Sequence, residues 1–107
     1  WFRRDADGKF MWPGFGDNLR VLAWMLERCG GRGGAIESPI GMLPRARDLN
    51  VEGLDLAPAT LDALLAVDED EWRKEVADIR AYLGEYGDRL PPRMLAELET
   101  TEGKLKR

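Results

Sequence analysis

A chain of 107 residues with a net charge of −4 suits one small domain, able to bury about two-thirds of its unfolded surface. Its apolar share is 44%, ordinary for a globular protein, and no apolar run approaches the roughly eighteen residues of a membrane span. Histidine is absent, which removes the commonest general base and metal ligand from this segment.

Residues 1–18 hold Trp1, Phe2, Phe10, Trp12 and Phe15, five of the nine aromatic residues. Phe2 to Arg4 and Lys9 to Trp12 flank Asp5-Ala6-Asp7-Gly8, a turn sequence, so a short β-hairpin is predicted. Pro13 cannot donate to a strand ladder, and Gly14 and Gly16 loosen the backbone around Phe15, so the strand should end at Trp12. Asn18 follows where a helix begins. Flat apolar rings beside one amide are the parts needed to stack and identify a nucleobase, and equally the parts of a small structural corner. Arg3, Arg4 and Lys9 could steer phosphates or lie solvated.

Asp17 or Asn18 is expected to cap a helix over 18–29, which ends at Gly30-Gly31. Val21, Leu22, Ala23, Trp24, Met25 and Leu26 leave that helix little polar face, so it belongs inside something larger than this chain. Cys29, the one cysteine, can form no internal disulfide and is expected to be a buried inert thiol in a cytoplasmic protein. Gly30 to Gly34 lacks the spacing and the Lys-Ser/Thr ending of a triphosphate-binding loop. Short strands are predicted at Ala35 to Glu37 and Ile40 to Leu43, within 35–44. A turn or short helix over Arg45 to Asn50 and a connector to Leu56 follow.

The tail, 58–107, reads as helical. Pro58 starts a helix to Ala66 with Leu61, Leu64 and Leu65 as apolar contacts. Asp68 caps a longer one ending at Gly87, whose Trp72, Val76, Ile79, Leu83 and Tyr86 form a single apolar stripe of the kind that packs a core. Pro91-Pro92 opens the last helix, with Met94, Leu95, Leu98 and Leu105 inward and the end fraying over 104–107. The fold class is α+β: an N-terminal hairpin and short strands followed mainly by α-helices.

Charge divides along the chain. Residues 1–47 carry eight basic and five acidic side chains, net +3, and residues 48–107 carry eight and fifteen, net −7. The positive part contains the aromatic cluster, which suits an anionic ligand, and the negative part argues against a nucleic-acid-binding surface, while either half could equally be a solvated face.

The string W-F-R-R-D-x-D-G-K-F-x-W-P-G-F-G-D-N, with R-V-L-x-W at Arg20 to Trp24 and S-P-I-G-M-L-P at Ser38 to Pro44, resembles the C-terminal part of GTP-dependent phosphoenolpyruvate carboxykinases. The resemblance is strong over 1–44 and looser beyond. It implies that 1–107 is the C-terminal segment of a nucleotide-binding domain within a larger carboxykinase fold. The chain opens on Trp1-Phe2 without Met, in keeping with a piece of a longer polypeptide.

The resemblance implies that Phe2 and Phe15 sandwich guanine, that Phe10 packs at its side and that Asn18 hydrogen-bonds the base, with Trp1 and Trp12 supporting. An amide carries both a donor and an acceptor for such an edge. It further implies GTP and GDP as ligands and a parent lyase of gluconeogenesis, converting oxaloacetate and GTP to phosphoenolpyruvate, GDP and carbon dioxide. The Mn2+ and Mg2+ ligands and all catalytic residues would lie upstream, so the piece alone would be inert. Expected partners are a guanine nucleotide and the upstream polypeptide, with self-association of the isolated piece but no nucleic acid and no membrane. The alternatives are a free-standing helical interaction domain whose aromatics bind a protein, and an adenine-specific kinase tail.

Overall fold

A computed structural model describes residues 1–106, and Arg107, the end of the predicted tail, lies outside them. In chain order the protein has α1 (Asn18–Cys29), β1 (Ile36–Ser38), β2 (Gly41–Leu43), α2 (Pro58–Leu65), α3 (Glu69–Gly84) and α4 (Pro92–Leu105). Single 3-10 turns lie at Phe15–Asp17, Ala46–Asp48 and Gly87–Arg89. This is the predicted α+β class, with β1 and β2 paired in a two-stranded sheet.

The chain divides into two compact units. One comprises Trp1–Glu37 with Met42–Ala66, and the other Ser38–Gly41 with the described residues from Val67 onward. The first closes on Trp24, Leu49 and Leu61, with Ala35, Ala46, Val51, Leu56 and Leu65 packed around them. Trp24 donates from Nε1 to the Gly34 carbonyl at 2.8 Å, satisfying the one polar atom that its burial would otherwise strand. A Cβ at Gly34 would overlap the Arg45 guanidinium and the Asp48 carboxylate, so any larger residue there has to displace that pair. Arg45 Nε donates to Asp48 Oδ2 at 2.8 Å, and that guanidinium holds the Asp48 carboxyl below its ordinary range.

In the second unit Val76, Leu98 and Leu105 are buried, with Trp72, Ile79 and Leu83 against them. Asp68 caps α3 as predicted, its Oδ1 accepting from the backbone N–H groups of Asp70 and Glu71 at 2.9 and 3.0 Å. Glu69, Asp70 and Glu71 then meet the positive end of the helix dipole.

Several expectations need correction here. The segment 1–12 pairs through one isolated antiparallel bridge, Arg4 with Phe10, rather than two full strands. The helix that should reach Gly87 stops at Gly84, because Gly87 has φ +52 and opens its own 3-10 turn. Tyr86 leaves the apolar stripe and pairs its hydroxyl with that of Tyr82 at 2.8 Å. Met94 and Leu95 remain 48% and 37% exposed. The last turn of α4 does not fray through Leu105, which is fully buried and whose carbonyl accepts from Arg73 Nε at 2.7 Å. Cys29 is exposed rather than buried. It lies five residues past Trp24, about 140° around the helix, and Trp24 is the one buried residue of α1.

Candidate functional site

The N-terminal segment is shaped by short-range polar contacts. Asp5 Oδ1 accepts from the N–H groups of Asp7 and Lys9 at 2.9 and 3.0 Å, and Gly8 turns the chain with φ +80. The Asp5 N–H donates to Lys9 O at 2.8 Å and the Met11 N–H to Arg3 O at 2.9 Å. This return brings Phe2 and Phe10 together edge to face, with ring centroids 6.3 Å apart and planes at 65°. The Arg4 guanidinium lies 4.2 Å from the centroid of Phe10. Arg3 Nη1 donates to the Ala63 carbonyl at 2.8 Å, at the C-terminal turn of α2, where free carbonyls and the negative dipole end favour a cation. Both arginines therefore have work inside the fold.

Pro13 and Gly14 (φ +75) then redirect the chain into the 3-10 turn that feeds α1. Phe15 stands in the left-handed region, φ +49, and is 99% exposed. Among the described residues it is the one non-glycine with positive φ. An aromatic side chain in that conformation is strained, and here no burial offsets the strain. Phe2 and Phe10 are 80% and 53% exposed and Trp1 is 48% exposed, so these ring faces are open.

Trp12 is the opposite case. It is 5% exposed, and its Nε1 donates to Asn18 Oδ1 at 2.9 Å. Neither Asp17 nor Asn18 caps α1 through its side chain, against the sequence expectation. The reason is competition: Asn18 gives its oxygen to Trp12, while Asp17 Oδ1 accepts from Arg20 Nε at 3.0 Å. Arg20 Nη1 also donates to the Asn50 carbonyl at 2.9 Å, tying the start of α1 to the connector ahead of α2. Sequence reasoning missed Arg20. The signal available was its i+3 spacing from Asp17, the helical distance for such a pair.

The structure thus joins Phe2 to Phe10 and Trp12 to Asn18, and leaves the ring of Phe15 in no aromatic pair among the described residues. No cluster of three or more Cys, Asp or Glu among the described residues could hold a metal ion. No helix is long and apolar enough to cross a membrane.

Residues 1–104 match the family model described as the phosphoenolpyruvate carboxykinase C-terminal P-loop domain, which sets the class of domain. The chain is 50% identical to the phosphoenolpyruvate carboxykinase [GTP] of Chlamydia felis over 107 residues, which is 99% of this chain and 18% of that protein. The proteins of the same name from Arthrobacter sp. strain FB24 and Treponema pallidum strain Nichols are 47% and 45% identical, over 98% of this chain and 17% of theirs. The chain belongs to the GTP-dependent phosphoenolpyruvate carboxykinase family, as its C-terminal segment. A free-standing interaction domain is not favoured by a match of this extent.

Proposed function

We propose that this chain is the guanine-holding part of a GTP-dependent phosphoenolpyruvate carboxykinase. Phe2 and Phe15 act as the plates on the two faces of the base, Phe10 packs at its side, and Asn18 hydrogen-bonds its edge. Trp1 lines the same site, and Trp12 supports it from beneath Asn18.

The observation that supports this most is Phe15, a ring left 99% exposed on strained backbone three residues before the Asn18 amide. Neither packing nor backbone energy favours that arrangement, whereas a stacked base would bury the ring. The family names GTP as its nucleotide, and the relatives' length leaves room upstream for the remaining chemistry.

In the whole protein the reaction is the reversible conversion of oxaloacetate and GTP to phosphoenolpyruvate, GDP and carbon dioxide. Holding the base fixes the nucleotide in register, so that the γ-phosphate reaches a site built by other residues. Mn2+ and Mg2+ neutralise charge in such transfers. On this reading the metal ligands belong to the rest of the polypeptide. The protein is cytoplasmic on this reading.

The test is nucleotide binding by the full-length protein. Phe15→Ala should weaken GDP binding about 5- to 150-fold, as expected for a lost stacking plate, and leave the KM for oxaloacetate nearly unchanged. Phe2→Ala should act in the same direction. Unchanged GDP affinity in both variants would rule out the sandwich.

A further inference from the structure

The hydrogen bond between Trp12 and Asn18 carries more than local stability. An indole N–H can only donate, so the Asn18 atom that faces it must be the carbonyl oxygen. Turning the amide over would set an NH2 group against an N–H group at a tryptophan only 5% exposed. Two donors would then face each other at a part-buried position and the indole N–H would lose its acceptor, which is costly. The orientation of the Asn18 amide is therefore set from within the protein. Among the described residues this is the hydrogen bond its side chain makes, and its Nδ2 group keeps two donors available to a ligand.

We infer that Trp12 is a positioning residue for base selection: it locks the Asn18 amide so that NH2, not C=O, meets the base. This rests on the guanine reading given under Proposed function. A locked NH2 complements a purine bearing a carbonyl at position 6 and opposes one bearing an amine there, because donor would face donor. Discrimination then comes from the carbonyl at position 6 and not from the exocyclic amine at position 2. The indole never touches the ligand. Its effect passes through one bond, 2.9 Å long, to the side chain that does.

The experiment uses the full-length protein. Trp12 is replaced by β-(3-benzothienyl)alanine, which keeps the shape of the indole but carries sulfur in place of N–H. Separately, Asn18→Asp keeps an acceptor for Trp12 and removes the donors toward the base. Binding of GDP, IDP and ADP and kcat/KM with GTP, ITP and ATP are measured for both and for Asn18→Ala, together with thermal unfolding.

The benzothienyl protein should lose about three- to tenfold of its GTP-over-ATP preference, the size of one net hydrogen bond, with its GTP-over-ITP ratio unchanged. Asn18→Asp should lower GDP affinity and raise ADP affinity. Stronger GDP binding in Asn18→Asp would mean that the side chain accepts from the N1 and N2 donors, and would overturn the inference. So would a benzothienyl protein in which all three nucleotides weaken equally, or in which melting falls while base preference holds. Failure of the underlying reading looks different: Asn18→Ala would then leave the preference among the three bases intact. Preference lost in Asn18→Ala but retained in the benzothienyl protein would remove the role of Trp12 alone.

Discussion

Trp24 is the residue on which the first unit's core closes, and its two faculties are separable. Its ring packs with Leu49 and Leu61, while its N–H is used by the Gly34 carbonyl. Trp24→Phe keeps most of the apolar contact but leaves that carbonyl without its donor and opens a small void. Chemical denaturation should show a loss of about 1–3 kcal/mol, with no change in nucleotide preference. A selective change in nucleotide preference in a stable variant would contradict a purely structural role. Trp12 and Trp24 show the same rule with different consequences. Each buried indole finds an acceptor, and the acceptor is a structural carbonyl in one case and the proposed base-reading amide in the other.

Among the elements, α1 begins without a side-chain cap, because both candidate residues are engaged elsewhere. Its N-terminus is held instead by the preceding 3-10 turn and by the link from Arg20 to Asn50. The segment between α1 and β1 is governed by Gly34. Gly34→Ala should displace the Arg45–Asp48 pair and cost about 1–3 kcal/mol, as overpacking does, read by denaturant midpoint. A variant as stable as the parent would mean that the pair can move aside freely.

The pairing of α3 with α4 includes a charge cluster in which Lys106 and Arg80 hold the Glu102 carboxyl below its ordinary range. A carboxylate whose folded value is lowered contributes stability that is fully present above its unfolded value, near ~4.3, and lost as pH falls through the folded value. Glu102→Gln should therefore flatten the acid limb of the stability profile between about pH 5 and the lowered folded value. Parallel pH-melting curves for the two proteins would show the cluster to be without effect.

At the scale of the whole molecule, the exposed side chains of α1 are the salient feature. Leu19 and Leu26 are 67% and 71% exposed, and Leu22 and Met25 are 42% and 44% exposed. A chain spanning 17% or 18% of its relatives leaves most of the polypeptide to cover such a face, and that is the occupant we propose. In the full-length protein Leu26→Ser should then destabilise by about 1.5–3 kcal/mol, the value of a buried leucine. A change within about 0.5 kcal/mol, as at an ordinary surface position, would place Leu26 in solvent.

The order of elements and the family were legible in the sequence because they rest on local signals. Helical periodicity placed α1, α2 and α3 at or close to their starts, Pro58 and Asp68 marked two of those starts, and the string from Trp1 to Asn18 carried the family. The tertiary structure alone decided what each polar group near the site does. It sent Arg3 to a carbonyl sixty residues away, gave the Asn18 oxygen to Trp12, turned Asp17 toward Arg20, and left Cys29 in solvent. Residue type states which bonds a side chain is able to make. Which one it makes depends on groups brought near by folding, and a donor with several acceptors in sequence reach has no local reason to choose among them.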